Sequence, residues 1–307
     1  MTTADAGADT GARGPEAAPL PWRSLVPGAL IAAWWVRDLS YQWRSLVEYQ
    51  YGWIVLLLTG FLVWERMPGR PKDDQPVSLG VGLLVAALGA PLVALGELYR
   101  IGVARTPASS MALSLGCALF LVANVLVCAG PRTLRHFLFP LGFFFLAVPI
   151  PKIVWNPVVF GLQSLITWLN VETLNLLGIP AERTGHVIQL PGCRVGVDEA
   201  CSGIRSLQSS LMAALFVGDL VLKRPVWKVV FLVAGVVLAM VGNFLRSLYL
   251  SLTANRLGPE GLKAIHDTAG WSVLVFTAVG VVALAWWFTR TEEGSEEEDA
   301  GGESRPG

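Results

Sequence analysis

Residues 226–252 read VWKVVFLVAGVVLAMVGNFLRSLYLSL, and from Val229 to Leu245 the run carries no charge. At ~1.5 Å of helical rise per residue, about 20 such residues cross the ~30 Å hydrocarbon core of a bilayer. The stretch therefore predicts a membrane-spanning helix with one cation, Arg246, at its far boundary. Working outward, the chain offers further apolar runs, giving eight spans at roughly 25–39, 49–64, 77–98, 108–129, 136–150, 202–222, 226–252 and 270–289. The expected fold class is an all-α polytopic membrane protein of about eight transmembrane helices. Composition agrees. Of 307 residues 53% are hydrophobic and 15% charged, against about 25% charged in a soluble domain. The 12 Trp suit two membrane–water interfaces. A net charge of zero leaves no basis for a nucleic-acid partner; the lipid bilayer is the expected surrounding. Residues 1–24 read as a disordered tail without a cleavable signal pattern, 25–290 as the transmembrane domain, and 291–307 as an acidic, solvated tail.

Basic residues mark cytoplasmic connections. Arg13 and Arg23 precede span one, and Arg66, Arg70 and Lys72 follow span two. Arg132 and Arg135 separate spans four and five; Lys223, Arg224 and Lys228 separate six and seven. Every second connection is basic, which predicts both termini in the cytoplasm, although Arg37, Arg44, Arg100 and Arg105 fall on the other side. The stretch 153–177 is apolar enough to insert, yet Asn156, Gln163, Thr167 and Asn170 share one helical face. It reads as an interfacial amphipathic helix. In 186–199, HVIQLPGCRVGVDE, the runs 187–190 and 195–197 are strand-like around a Pro191-Gly192 turn. A small extracytoplasmic β-hairpin is expected there, leading into the helix that starts near Cys201.

Three residues can carry chemistry at that outer face. Cys201 sits in the first turn of span six, where unpaired N–H groups and the helix dipole favour a thiolate. Ser202 and Gly203 allow close backbone approach to an oxyanion. The alternatives are an inert cysteine at a helix end and a Cys193–Cys201 disulfide. Arg246 is either functional or a snorkelling cation, with Asn243 one turn before it on the same face. His266, in IHDTAGW before span eight, is either a general base or a surface histidine. Together a thiol, a base and a cation make an acyl-transfer set, in which Glu199, Asp198 or Asp267 could orient the imidazole or hold the guanidinium. Zinc on His186, Cys193 and Cys201 fits no common ligand spacing; no metal or cofactor is expected.

VDEACSGIRSL (197–207), GNFLRS (242–247) and HDTAGW (266–271), in that order and preceded by LLGIPAERTGHVIQLPG (176–192), resemble the exosortase/archaeosortase membrane proteins. The specific motifs lie in 176–271 and the architectural likeness covers about 25–290. One departure is Tyr51-Gly52-Trp53, where members often carry a Ser-His-Gly-like sequence. The resemblance implies a thiol transpeptidase or protease of the cytoplasmic (inner) membrane, with its active site on the extracytoplasmic side. Its implied partners are membrane-anchored secreted proteins bearing a C-terminal tripartite sorting signal: a short motif such as Pro-Glu-Pro, a transmembrane segment and a basic cluster. The family's catalytic Cys, Arg and His fall on Cys201, Arg246 and His266. Two other classes compete: a transporter using Arg246 to bind an anion, and a non-catalytic component of exopolysaccharide export.

Overall fold

The computed structural model describes the backbone of residues 22–72, 74–196 and 204–303, and side chains of 25–72, 74–196, 206–258 and 269–294. Helices follow the apolar runs: α1 Trp22–Ser45, α2 Gly52–Arg66, α3 Leu79–Gly102, α4 Pro107–Cys128, α5 Pro131–Phe144, α6 Lys152–Leu176 and α7 Ile204–Val221. The last helical stretch, Pro225–Glu303, breaks at Gly258, whose φ of 69° is left-handed and natural only for glycine. Its two arms are α8, Pro225–Gly258, and α9, Ala269–Gly294. Between α6 and α7 lie β1 Glu182–Thr184, β2 Val187–Leu190 and β3 Cys193–Gly196.

Among the described residues, five helical segments are long and apolar enough to cross a membrane, Val47–Arg66, α3, α4, α8 and α9. Pro131–Ala147 and α6 pass the same test only as a pair bent by 78°, which brings the number to six. Among the described residues the count is thus five to six and not the expected eight. α1 falls short because it carries Arg37, Asp38 and Arg44 and buries Asp38 and Gln42 in the protein. α5 has 14 residues, and α7 contributes only a short apolar segment, Ser206–Val221.

Close packing has a sequence cause. Gly82, Gly89 and Gly96 fall seven residues apart on one face of α3 and are buried. A Cβ on Gly89 would come within 2.9 Å of the Gly116 carbonyl, and one on Gly96 within 2.9 Å of that of Ser109. The glycines let the α3 and α4 backbones touch, as small residues do in membrane helix pairs. α1 lies on the same helix: Trp35 Nε1 donates to Ser114 Oγ (2.7 Å), and Gln42 Nε2 to Ser110 Oγ (3.1 Å).

The contacts gather the basic connections at one end of the bundle. There Asp219 of α7 binds Arg66 of α2 and Lys228 of α8, and Asp74 accepts from Thr133 N at the start of α5 (2.6 Å). At this end too the expected solvated tail begins inside a helix. Glu292 is buried and accepts from Lys223 N (3.0 Å) and Arg224 N (2.6 Å), because backbone N–H groups entering α8 need an acceptor. Asp219, with its side chain 5% exposed, joins three helices. Asp219→Asn should cost about 3 kcal/mol, since it strands the Arg66 charge, and lower the thermal midpoint in detergent. An unchanged midpoint would show that the ion cluster contributes nothing.

Two expectations about the opposite end change. The hairpin forms, as β2 against β3 with Leu190 opposite Cys193, but a third strand, β1, extends it in the order β1-β2-β3. β1 is exposed at all three positions and so lacks an inward-facing pattern. In α6 the polar face points the other way from an interfacial helix lying on headgroups. Gln163, Thr167 and Asn170 are buried, while Ile153, Phe160, Trp168 and Leu176 are exposed. Only Asn156 of the stripe is exposed. Polar groups in an apolar surrounding gain by turning toward protein.

Candidate active site

α8 continues to Gly258, beyond residue 252 where the apolar run fades. Its 34 residues span about 51 Å, some 20 Å more than a bilayer core. With Lys228 at the basic end, a core of ~30 Å ends near residue 248, so Arg246 sits at the far boundary. The Gly258 break then folds α9 back along α8. Residues equidistant from the break meet: Arg246 lies twelve before it and Gly270 twelve after. A Cβ on Gly270 would stand 3.7 Å from Arg246 Nη2. The half-buried guanidinium thus turns from α8 onto α9, one helical turn after His266. The same antiparallel packing continues through Gly242, whose Cβ would meet Phe276 at 3.1 Å. Asn243, on the face of Arg246, is buried.

α7 approaches from the third side. A Cβ on Gly218 would meet Phe231 at 2.9 Å, and one on Gly235 would meet Ala214 at 3.0 Å. Both pairs obey one antiparallel register, which carried to Ile204 meets α8 at Leu245. The N-terminus of α7 therefore lies level with Arg246. The positive dipole end of α7, at its described start Ile204, faces the same region.

Of the residues singled out above, Arg246 and Asn243 are placed by their side chains. Glu199, Cys201, Ser202 and Gly203 lie outside the described residues, as does Asp198. His266 and Asp267 lie on the helical backbone leading into α9, with side chains outside the description. Cys193, on β3, is a free thiol. His186 stacks on Phe160 of α6, ring centroids 5.8 Å apart.

Sequence reasoning missed the polar lining next to this region. Ile166 and Leu174 of α6, Ile188 and Val195 of the sheet, and Phe244, Leu248 and Ala254 of α8 form one apolar cluster. The same helix faces carry Gln163, Thr167 and Asn170 on α6 and Ser247 and Ser251 on α8, all buried. Gln163 Oε1, Asn170 Oδ1 and Ser251 Oγ have no hydrogen-bond partner among the described residues. The periodicity of 163, 167 and 170 showed this stripe, and the inward turn of polar faces in lipid was the unused signal.

A bundle of apolar helices with a boundary arginine beside a helix N-terminus defines a multi-pass membrane protein with an ionisable site at one end. Over residues 43–283 the chain matches the family model described as Transmembrane exosortase (Exosortase_EpsH). The chain belongs to the exosortase family. No curated protein and no solved structure matches it significantly.

Proposed function

We propose that the protein is a membrane-embedded cysteine peptidase or transpeptidase acting on C-terminal sorting signals of secreted, membrane-anchored proteins. The observation that carries this reading is the approach of Arg246 to Gly270, beside the N-terminus of α7. Those three segments bear the ACSGIR, GNFLRS and HDTAGW motifs.

In the proposed reaction His266 takes the Cys201 proton, and the thiolate attacks the scissile carbonyl. A C–S bond forms, and the carbonyl oxygen becomes an oxyanion within reach of Arg246 and of N–H groups at the start of α7. Collapse of the tetrahedral intermediate breaks the C–N bond. The imidazolium returns its proton to the leaving amine, and the substrate remains as a thioester. Water or an amine acceptor then attacks that thioester and regenerates the thiol. Arg246 binds charge without exchanging a proton, because its pKa lies far above neutrality. The basic connections gathered at the other end favour the cytoplasmic side for that end, and so an extracytoplasmic active site in the inner membrane.

Gly270 provides the test. In Gly270→Ala the added methyl meets Arg246 at an ordinary 3.7 Å, and release of the C-terminal segment should stay within about twofold of wild type. Gly270→Leu fills the space that the guanidinium occupies. A displacement near 1 Å should cost about a hundredfold with membrane insertion retained. Equal activity of the two variants would remove Arg246 from the site.

A further inference from the structure

At the basic end, away from Arg246, a cavity of ≈ 360 Å³ lies between α1, α2, α4 and α5. It runs from Leu25 to Val36 along α1 and from Thr133 to Phe144 along α5, a depth of about 16 Å at the helical rise. A depth of that size between apolar walls suits a single hydrocarbon chain. The walls are apolar apart from Thr59, Thr133 and Arg70. Both hydroxyls are spent on backbone carbonyls: Thr59 Oγ1 donates to Val55 O (2.7 Å) and Thr133 Oγ1 to Ala129 O (3.0 Å). Arg70 is the remaining polar group, and its guanidinium forms no ion pair with a described residue. The nearby Asp74 carboxylate is engaged by Thr133 N.

We propose that this slot binds one acyl chain of an anionic phospholipid, with Arg70 on the headgroup phosphate. The slot removes the chain from competing lipid, and a cation near an anionic leaflet favours a negative headgroup. Lys72, after α2, and Arg132 and Arg135, near the start of α5, lie at the same end and add to that field. A transmembrane segment of a substrate would bring no anion to Arg70, and a free phosphate would leave the apolar walls unused.

The full-length chain, purified in detergent, should be incubated with phosphatidylglycerol or with phosphatidylcholine of equal chain length, and bound lipid counted by native mass spectrometry. Wild type should hold one phosphatidylglycerol, about fivefold in preference to phosphatidylcholine. Arg70→Gln should bind both lipids about equally, and Ala32→Trp, which fills the slot, should bind neither. Added inorganic phosphate should not displace the lipid. Equal retention of the two lipids by wild type, an unchanged preference in Arg70→Gln, retention by Ala32→Trp, or displacement by phosphate would each overturn the proposal. Should Ala32→Trp fail to fold, the Arg70→Gln comparison decides.

Discussion

Cys201→Ser should slow release of the C-terminal segment by about a thousandfold or more, with the protein still folded and membrane-inserted. The exchange of sulfur for oxygen hardly changes volume, so packing gives no reason for unfolding. The chemistry changes greatly. A thiol is far more acidic than an alcohol and attacks as the thiolate, whereas a serine hydroxyl needs a base strong enough to remove its proton during attack. The readout is the ratio of unprocessed to processed substrate in cells carrying each form. Wild-type processing in the serine variant would remove the thioester route. It would favour the transporter or export-assembly reading, neither of which needs a nucleophile.

Arg246→Gln is expected to lower turnover by about 10²–10³, the usual cost of losing one oxyanion donor in a water-poor site. Arg246→Lys should recover only part, because an ammonium cannot present the planar fork of a guanidinium. The structural reason is the position of this side chain. It leaves α8 at the level of the α7 N-terminus and reaches α9 at Gly270. A purely structural arginine would show its loss as a lower thermal midpoint with unchanged turnover of the folded fraction. Turnover that falls while the midpoint holds assigns Arg246 to the reaction.

Much of the helical framework was legible because lipid imposes length and apolarity on a span. The spans read at 77–98 and 108–129 correspond to α3 and α4, Leu79–Gly102 and Pro107–Cys128, and their glycines and serines explain how closely they pack. The short elements were harder. α1 looks like a weak span because its Asp38 and Gln42 serve internal hydrogen bonds: Asp38 accepts from Ser110 Oγ at 3.1 Å, and Gln42 donates to the same oxygen. The three residues of β1 carry no alternation, so only β2 and β3 were visible as a hairpin. The face of α6 was correctly grouped by period, but period alone does not say which side is inside. Protein, and not water, takes Gln163, Thr167 and Asn170. Glu292 reads as one of many acids in a polar run, and only the fold supplies the backbone donors of Lys223 and Arg224 that bury it. For the site, the residue types and their order were legible. The register that brings Arg246 to Gly270 depends on where α8 breaks. The left-handed Gly258 places that break six residues beyond the end of the apolar run.

The central claim, that His266 activates the thiol of Cys201, is tested most directly by the rate of thiol labelling. The measurement uses a background carrying Cys128→Ala and Cys193→Ala, since those two thiols are partly accessible while Cys117 is fully buried. A membrane-impermeant alkylating probe is added from the extracytoplasmic side at neutral pH. Cys201 should label readily with His266 present, and at least about tenfold more slowly in His266→Ala. Equal rates in the two proteins would contradict the account.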